Sequence, residues 1–318
     1  MREFIVGKND AGQRLDRFLQ KTVPLLPASL AQKYIRLKRI KVNGARAERD
    51  YRLREGDVLQ CYVNDEFFDA PSEENAYLSI AKPRLNIIYE DENILLLDKP
   101  AGMVVHADET EKIQTLVNHM LSYLYQKHAW DPRSENSFTP ALCNRIDRNT
   151  GGIVIAAKTA EALRVLNEKI KERELSKFYL CICLGRPEPP SGRIELFLRK
   201  DEKTNTVRAY RHPVPGGRSA VTLYRTLETR GSLSLAEVEL LTGRTHQIRV
   251  SFAEMGHPLL GDGKYGVGSV NRRFGETQQA LYSYRLRFDF PTDAGPLNYL
   301  RGREFIADSV PFRLKYFG

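Results

Sequence analysis

Apolar positions along the first sixty residues follow two different periods. Leu15, Phe18 and Leu19 stand at i, i+3 and i+4 in "AGQRLDRFLQKTVP", which predicts a short amphipathic helix stopped by Pro24 and Pro27. Ser29 is placed to cap a second helix, "LAQKYIRLKRI", with Leu30, Tyr34 and Leu37 on its apolar face. Lys33, Arg36, Lys38 and Arg39 fall on or near the other side. "IKVNGARAE" then predicts a hairpin, because Asn43-Gly44 tolerates the positive φ of a tight turn. "LREGDVLQCYV" adds a turn and a strand. Asp16 reads as a local ion-pair or cap residue.

From Asn64 to Arg84, "NDEFFDAPSEENAYLSIAKPR" loses this periodicity and reads as a linker. The expected organisation is therefore a small module over 1–63, a linker over 64–84 and a body over 85–318. In the body, "LNIIYEDENILLLDKPAGMVVH" reads as two apolar strands broken by the Glu90–Asn93 turn and leaving through Asp98-Lys99-Pro100. Leu116, Met120 and Tyr123 predict a helix, on which His119 reads as a surface or core histidine rather than a ligand. "RSENSFTPA" reads as a polar loop. "GIVIAAKT" and "SKFYLCICLGRP" read as strands on either side of a helix that buries Leu163, Leu166 and Ile170. In "TGRTHQIRV" the alternating Thr245 and Gln247 suggest extended backbone, with Arg244 and His246 on one face.

Charge adds a partner to this outline. Residues 1–62 hold 14 Lys/Arg against 7 Asp/Glu, a net of +7, while the other 256 residues hold 35 against 33, a net of +2. A basic helix on a small module suits a polyanion such as structured RNA, whose phosphates several Lys and Arg can neutralise together. No apolar run reaches the roughly 18 residues of a membrane helix, and "MREFIVGKND" lacks a signal peptide's apolar core, so a cytoplasmic protein is expected. Cys61, Cys143, Cys181 and Cys183 make no CxxC and have no histidine at zinc-ligand spacing. They read as buried thiols, and no metal is expected. Nucleotide-binding glycine motifs are missing too, so no cofactor is expected.

"QRLDRFL", "SLAQKYIRLKRIKVNG" and "YRLREGDVL" resemble the small RNA-binding domain first recognised in a ribosomal small-subunit protein. "LLLDKPAGMVVH", "RIDRNTGGIVIAAKT", "SKFYLCICLGRP" and "TGRTHQIRVSFAEMGHPLLGDGKYG", in that order, resemble the core motifs of the RluA family of pseudouridine synthases over about 85–290. The resemblance implies an α+β fold: a mixed, largely antiparallel central sheet with flanking helices, preceded by the small α/β module. It implies that Asp147 is the catalytic aspartate, that Arg145 enters the RNA stack, that Tyr179 packs on the flipped base and that Arg249 pairs with Asp147. Arg244 and His246 join Lys33, Arg36, Lys38 and Arg39 as expected RNA contacts. The chain departs from the family's His-Arg-Leu-Asp-x-x-Thr-Ser-Gly at Asn144, Ile146 and Gly151, and Ser251 stands where a histidine is frequent.

The implied reaction breaks the bond between ribose and the base nitrogen, turns the base and rejoins it through carbon five. One carboxylate suffices for this. It acts either as a nucleophile at the sugar or in forming a glycal. A base inside a helix has to leave the stack to be reached. Taking a lone carboxylate out of water disfavours its charge, which is why a cation beside Asp147 matters. Large-subunit rRNA is the expected substrate, with tRNA as the alternative and a monomer as the expected state. An RNA-binding or ribosome-assembly protein that has lost catalysis is the competing class. A glycosidase-like hydrolase would need a second carboxylate within a motif, and none is evident.

Overall fold

The computed structural model describes residues 1–64, 67–68 and 73–318, the side chains of 73–75 excepted. At the N-terminus, β1 (Arg2–Ile5), β2 (Ile40–Val42), β3 (Ala45–Arg46) and β4 (Val58–Cys61) form a sheet in the order β1-β4-β2-β3. Two helices, α1 (Leu15–Thr22) and α2 (Ala28–Arg36), pack on it. Leu15, Phe18 and Leu19 are buried as their spacing predicts. The face of α2 differs from expectation. Ala31 and Ile35 are its buried residues, Leu30 and Tyr34 are only partly covered and Leu37 is exposed. The helix also starts at Ala28 after Pro27, so Ser29 lies inside it and caps nothing. Asn43 and Gly44 have φ of 51° and 75°, the tight turn expected of them. Arg14 and Asp16 form a local ion pair at 2.6 Å.

Of the linker stretch 64–84, residues 65–66 and 69–72 lie outside the described residues. Beyond them the chain packs onto the body, since Tyr77 and Ile80 are buried, and Tyr77 meets the Trp130 ring edge-on at 5.4 Å.

The body is a mixed α+β fold around one long sheet. In chain order its elements are β5 (Ile87–Glu90), β6 (Ile94–Lys99), α3 (Leu116–Gln126), β7 (Ala141–Leu142), β8 (Gly151–Ala157), α4 (Ala160–Lys171) and β9 (Leu175–Leu184). Then follow β10 (Ser191–Asp201), β11 (Thr206–Tyr210), β12 (Arg218–Arg230), β13 (Leu233–Leu240), α5 (Gln247–Glu254), α6 (Gly268–Phe274), β14 (Leu281–Phe288), β15 (Glu304–Ile306) and α7 (Pro311–Phe317). The strand order is β11-β10-β12-β13-β9-β14-β8-β6-β5, with β15 beside β14 and β7 beside β8. Among the described residues only β8 and β14 pair in parallel, so the sheet is largely antiparallel, as expected. Apolar side chains cover β6 and β8 on both faces, which explains their continuous apolar runs. On β9 the period-two alternation sends Tyr179, Cys181 and Cys183 to one side and Leu180 and Ile182 to the other. Cys61, Cys181 and Cys183 are buried and Cys143 half-buried, all as free thiols.

The polar loop before β7 holds the N-terminal module. Asp10, almost fully buried, accepts from Ser137 Oγ at 2.5 Å and Asn136 Nδ2 at 2.7 Å. Asn9 donates to Glu135 at 2.7 Å and accepts from the Ala160 amide, tying the same module to the start of α4.

Candidate active site

Asp147 lies in the loop between β7 and β8, and the sheet fixes both ends of that loop. Upstream, Asn144 Oδ1 accepts the Ile155 amide at 2.8 Å, pinning the chain to β8. Downstream, Gly151 and Gly152 sit against β14. A Cβ on Gly151 would fall 2.4 Å from the Tyr282 ring, and one on Gly152 only 2.1 Å from Ser283 O. Gly152 also has a φ of 109°. These glycines let two parallel strands close together; they do not make room for substrate. The two departures, Asn144 and Gly151, thus fit their immediate surroundings: one supplies a backbone partner and the other avoids the Tyr282 ring.

Below the loop lies Lys99, with no exposed surface. Its Nζ donates to Pro100 O at 2.9 Å, Met103 O at 2.8 Å and Arg148 O at 2.9 Å. Burial draws the ammonium down to about 7 against the charges of Asp147 and Asp98. The three carbonyls act in the other direction, because each accepts a proton that only the charged form supplies in full. Lys99 therefore ties the exit of β6 to the backbone beside Asp147. At the sequence level it was only part of a strand-to-loop exit.

Arg249 arrives from the opposite side, and not from a strand. The alternation around Thr245 predicts extended backbone, but Thr245–His246 is a turn and α5 begins at Gln247. His246, at a φ of 53°, precedes the first turn of the helix. Gln247 fixes the corner by accepting from Thr242 Oγ1 and the Arg244 amide and donating to Val221 O and Thr222 Oγ1. Residues 247–252 are all buried, so the helix presents no polar stripe to give away its period. Ser251 is among them, its hydroxyl 3.5 Å from that of Thr222.

From α5, Arg249 Nη1 donates to Asp147 Oδ2 at 3.0 Å. Its other edge forms a two-pronged bond with Asp262, at 2.7 Å from Nε and 2.8 Å from Nη2. Burial opposes the charge on Arg249, but Asp262 and Asp147 outweigh it and raise the pKa. Burial alone would likewise raise Asp262; Arg249 and the Tyr265 and Lys264 amides hold it below the ordinary carboxylate range. Asp147 is the more open carboxylate, its side chain 28% exposed against 0% for Asp262. The sequence reading did not single out Asp262, since an aspartate in "GDGKYG" reads as a turn residue. It is also that, because its Oδ1 accepts two following amides.

His246 lines the same pocket, with Nε2 3.9 Å from Asp147 Oδ2 and Nδ1 2.8 Å from the Tyr265 hydroxyl. Burial, reinforced by Arg249 and Lys264 and opposed by Asp147 and Asp262, lowers it to about 4. With its pKa drawn down in this way the imidazole favours its neutral form near pH 7. Tyr179 reaches the pocket from β9. Burial first, and then the Asp147 charge, push its phenol up to about 12. Arg145 is exposed, and Arg148 pairs with Asp108 at 2.7 Å. Arg244 is half-buried and donates to Ser219 O at 3.0 Å. The structure thus brings Asp147, Tyr179, Arg249 and His246 together. Lys33, Arg36, Lys38 and Arg39 lie apart, all exposed on or just after α2, with the Arg39 guanidinium 5.1 Å from the Tyr34 ring centre.

Comparison with known proteins bears on this arrangement. Residues 93–254 match the RNA pseudouridylate synthase family and residues 13–59 the S4 domain. An uncharacterized RNA pseudouridine synthase of Mycoplasma genitalium is 33% identical over 289 residues, 90% of this chain and 88% of its own. Ribosomal large subunit pseudouridine synthase C of Vibrio vulnificus is 31% identical over 297 residues, 92% of this chain and 90% of its own. Among solved structures, human RNA pseudouridylate synthase domain containing 4 superposes with a TM-score of 0.58 at 20% identity, over 76% of this chain and 94% of its own, a likeness of fold.

Proposed function

The chain belongs to the RluA family of RNA pseudouridine synthases, and on that premise we propose that Asp147 is the carboxylate that acts on a uridine flipped out of large-subunit rRNA. The observation that carries this reading is the chain of contacts Asp147–Arg249–Asp262. It presents one partly open carboxylate in a pocket whose other charges are buried and satisfied. In the pseudouridylation reaction the C1′–N1 bond breaks and a C1′–C5 bond forms, while C5 gives up a proton and N1 ends with one. Nothing is oxidised, and no atom is gained or lost.

Each neighbour has a part in that sequence. Arg249 holds one oxygen of Asp147, leaving the other for C1′ on the nucleophilic route or for the 2′ proton on the glycal route. Tyr179, uncharged below about pH 12, offers a ring against the extruded base. The Tyr265 hydroxyl accepts the Val207 amide, so its own proton is free for His246 Nδ1. The neutral ring then carries its proton on Nε2, toward Asp147. Arg145, exposed at the start of the loop, fills the gap left in the RNA stack. The relative in Vibrio vulnificus is named for the large ribosomal subunit, which supports rRNA over tRNA as substrate.

The test incubates the chain with transcripts of large-subunit rRNA and of tRNA and maps pseudouridine chemically. The expected product is pseudouridine in rRNA, abolished by Asp147→Asn with RNA affinity nearly intact. Turnover by Asp147→Asn at the normal rate would remove Asp147 from the role. Modification of tRNA alone would replace the substrate.

A further inference from the structure

Three arginines gather at one end of the sheet's central strands with no acid to explain them. The last pair of β13 with β9 is Glu239–Phe178, and beyond it Arg173 precedes β9 while Arg244 follows β13, both at the same end of the sheet. Leu240–Thr222 is likewise the last pair of β13 with β12, and Arg218 is the first residue of β12 at that same end. The chain bends after β13, yet Arg244 stays at this end, because its Nε donates to Ser219 O at 3.0 Å, next to Arg218. Arg218 alternates with Ala220 and Thr222, so it lies on the face of β12 that carries α5. Among the described residues none of the three has a carboxylate within ion-pair distance. Burial, then Arg218 and Arg173, weaken Arg244's hold on its proton.

Two further observations point to a ligand. Arg173 occupies the residue after the C-cap of α4 at a φ of 63°, a left-handed position where glycine is unstrained and a long side chain is not favoured. Neither local backbone preference nor an ion pair calls for arginine there. Between this cluster and the active site stands Lys177, two residues from Tyr179 on the same face of β9, half-buried and bonded to nothing among the described residues. Lys177 lies between Tyr179 and the start of β9 at Leu175, two residues after Arg173, so RNA passing from Tyr179 toward that end of the sheet would meet Lys177 before the arginines.

We propose that Arg173, Arg218 and Arg244 form a phosphate site that grips the backbone of the substrate RNA a few nucleotides from the uridine at Asp147. The inference rests on the reading of Asp147 as the reaction centre. Like charges crowded without a counter-ion are stabilised when a phosphate settles between them, and guanidinium forks fit phosphate oxygens in pairs. The site fixes how far the RNA slides along the cleft and takes no part in bond breaking.

The experiment compares the unaltered chain with Arg173→Gly, Arg218→Ala and Arg244→Ala, singly and together. Arg173→Gly suits its backbone position, so its melting temperature should stay level or rise while binding weakens. With a labelled single-stranded oligouridylate as probe, the triple variant should bind about 10-fold more weakly near 0.15 M salt, and its log–log salt slope should shrink by about 1. On large-subunit rRNA transcripts KM should rise by a similar factor with kcat unchanged. Lysine at all three positions should restore most of the salt slope. Arg225→Ala, on the other face of β12 where Arg225 pairs with Glu237 at 3.2 Å, should change neither slope nor KM. An unchanged slope and KM in a folded triple variant would overturn the site, and so would a fall in kcat at constant KM. Failure of the Asp147 reading would show separately, as Asp147→Asn retaining turnover.

Discussion

The cations of the N-terminal module and those of the cleft carry the same formal charge and live in opposite surroundings. Lys33, Arg36, Lys38 and Arg39 are exposed, and none has a carboxylate partner among the described residues. Arg249 and Lys99 are buried and saturated, one by two carboxylates and the other by three carbonyls. A hydrated, unpaired cation is free to exchange its counter-ions for phosphates, so it contributes affinity that salt screens. A desolvated cation survives only where its partners are already in place, so it contributes position. Net charge detects the first kind. The second hardly registers in it, because each member is balanced locally, and that is how a nearly neutral body can hold the chemistry while the small module holds the excess charge.

Breaking the buried set should therefore cost the most stability. Arg249→Met leaves Asp262 with no exposed surface and no counter-charge, and should destabilise the chain by about 3–5 kcal/mol in denaturant titration. Asp147→Asn keeps the Arg249–Asp262 fork and alters a carboxylate with access to water, so it should cost less than about 1 kcal/mol while removing activity. Equal losses from the two substitutions would show that Asp262 is not what makes Arg249 structural. Lys99→Met should follow, at about 2–4 kcal/mol, because three buried carbonyls lose their donors at once. Its hydrogen-exchange signature should centre on the loop from Pro100 to Met103 and on Arg148. Protection lost evenly over the whole sheet would argue against a local tie.

These differences also decide what could be read from the chain beforehand. The helices and strands with one buried face were legible: α1 through Leu15, Phe18 and Leu19, and β9 through its alternation. The loop bearing Asp147 was legible by its resemblance to a family motif, and the structure adds why Asn144 and Gly151 stand there. The α5 helix was not legible. Its residues 247–252 are all buried, and the polar ones among them, Gln247, Arg249 and Ser251, answer to Thr222, Asp262 and Asp147 from distant parts of the chain. Their alternation imitates a strand. The face of α2 was misjudged for a smaller reason: Leu30, Tyr34 and Leu37 form an apolar row, but the sheet receives the neighbouring row of Ala31 and Ile35. Asp262 was hidden by its turn chemistry.

On the exposed side, replacing Lys33, Arg36 and Arg39 by alanine should leave the fold unchanged and flatten the salt dependence of RNA binding by about 2–3 in the log–log slope. Deleting residues 1–62 is the coarser form of this test, and it also removes Asp10 from its contacts with Asn136 and Ser137. Triple-variant binding with an unaltered slope would mean that the basic face of α2 does not meet phosphate.

His246 lies between the two classes. Its ring is buried and faces charges of both signs: Asp147 and Asp262 favour its protonation, while Arg249 and Lys264 disfavour it. Burial and the cations win, and the folded-state value near 4 lies below the roughly 6.5 of an unfolded histidine. Between these limits the unfolded chain binds the extra proton, so stability is fully present above about pH 6.5 and drains away as pH falls toward 4. The loss due to this residue should be on the order of 2 kcal/mol. His246→Asn tolerates the left-handed backbone, since asparagine enters that region more readily than most residues. Denaturant titrations from pH 7.5 to 4.5 should show the unaltered chain losing more stability than this variant over that window. Parallel curves would mean that the imidazole takes up its proton in the folded state as readily as in the unfolded one.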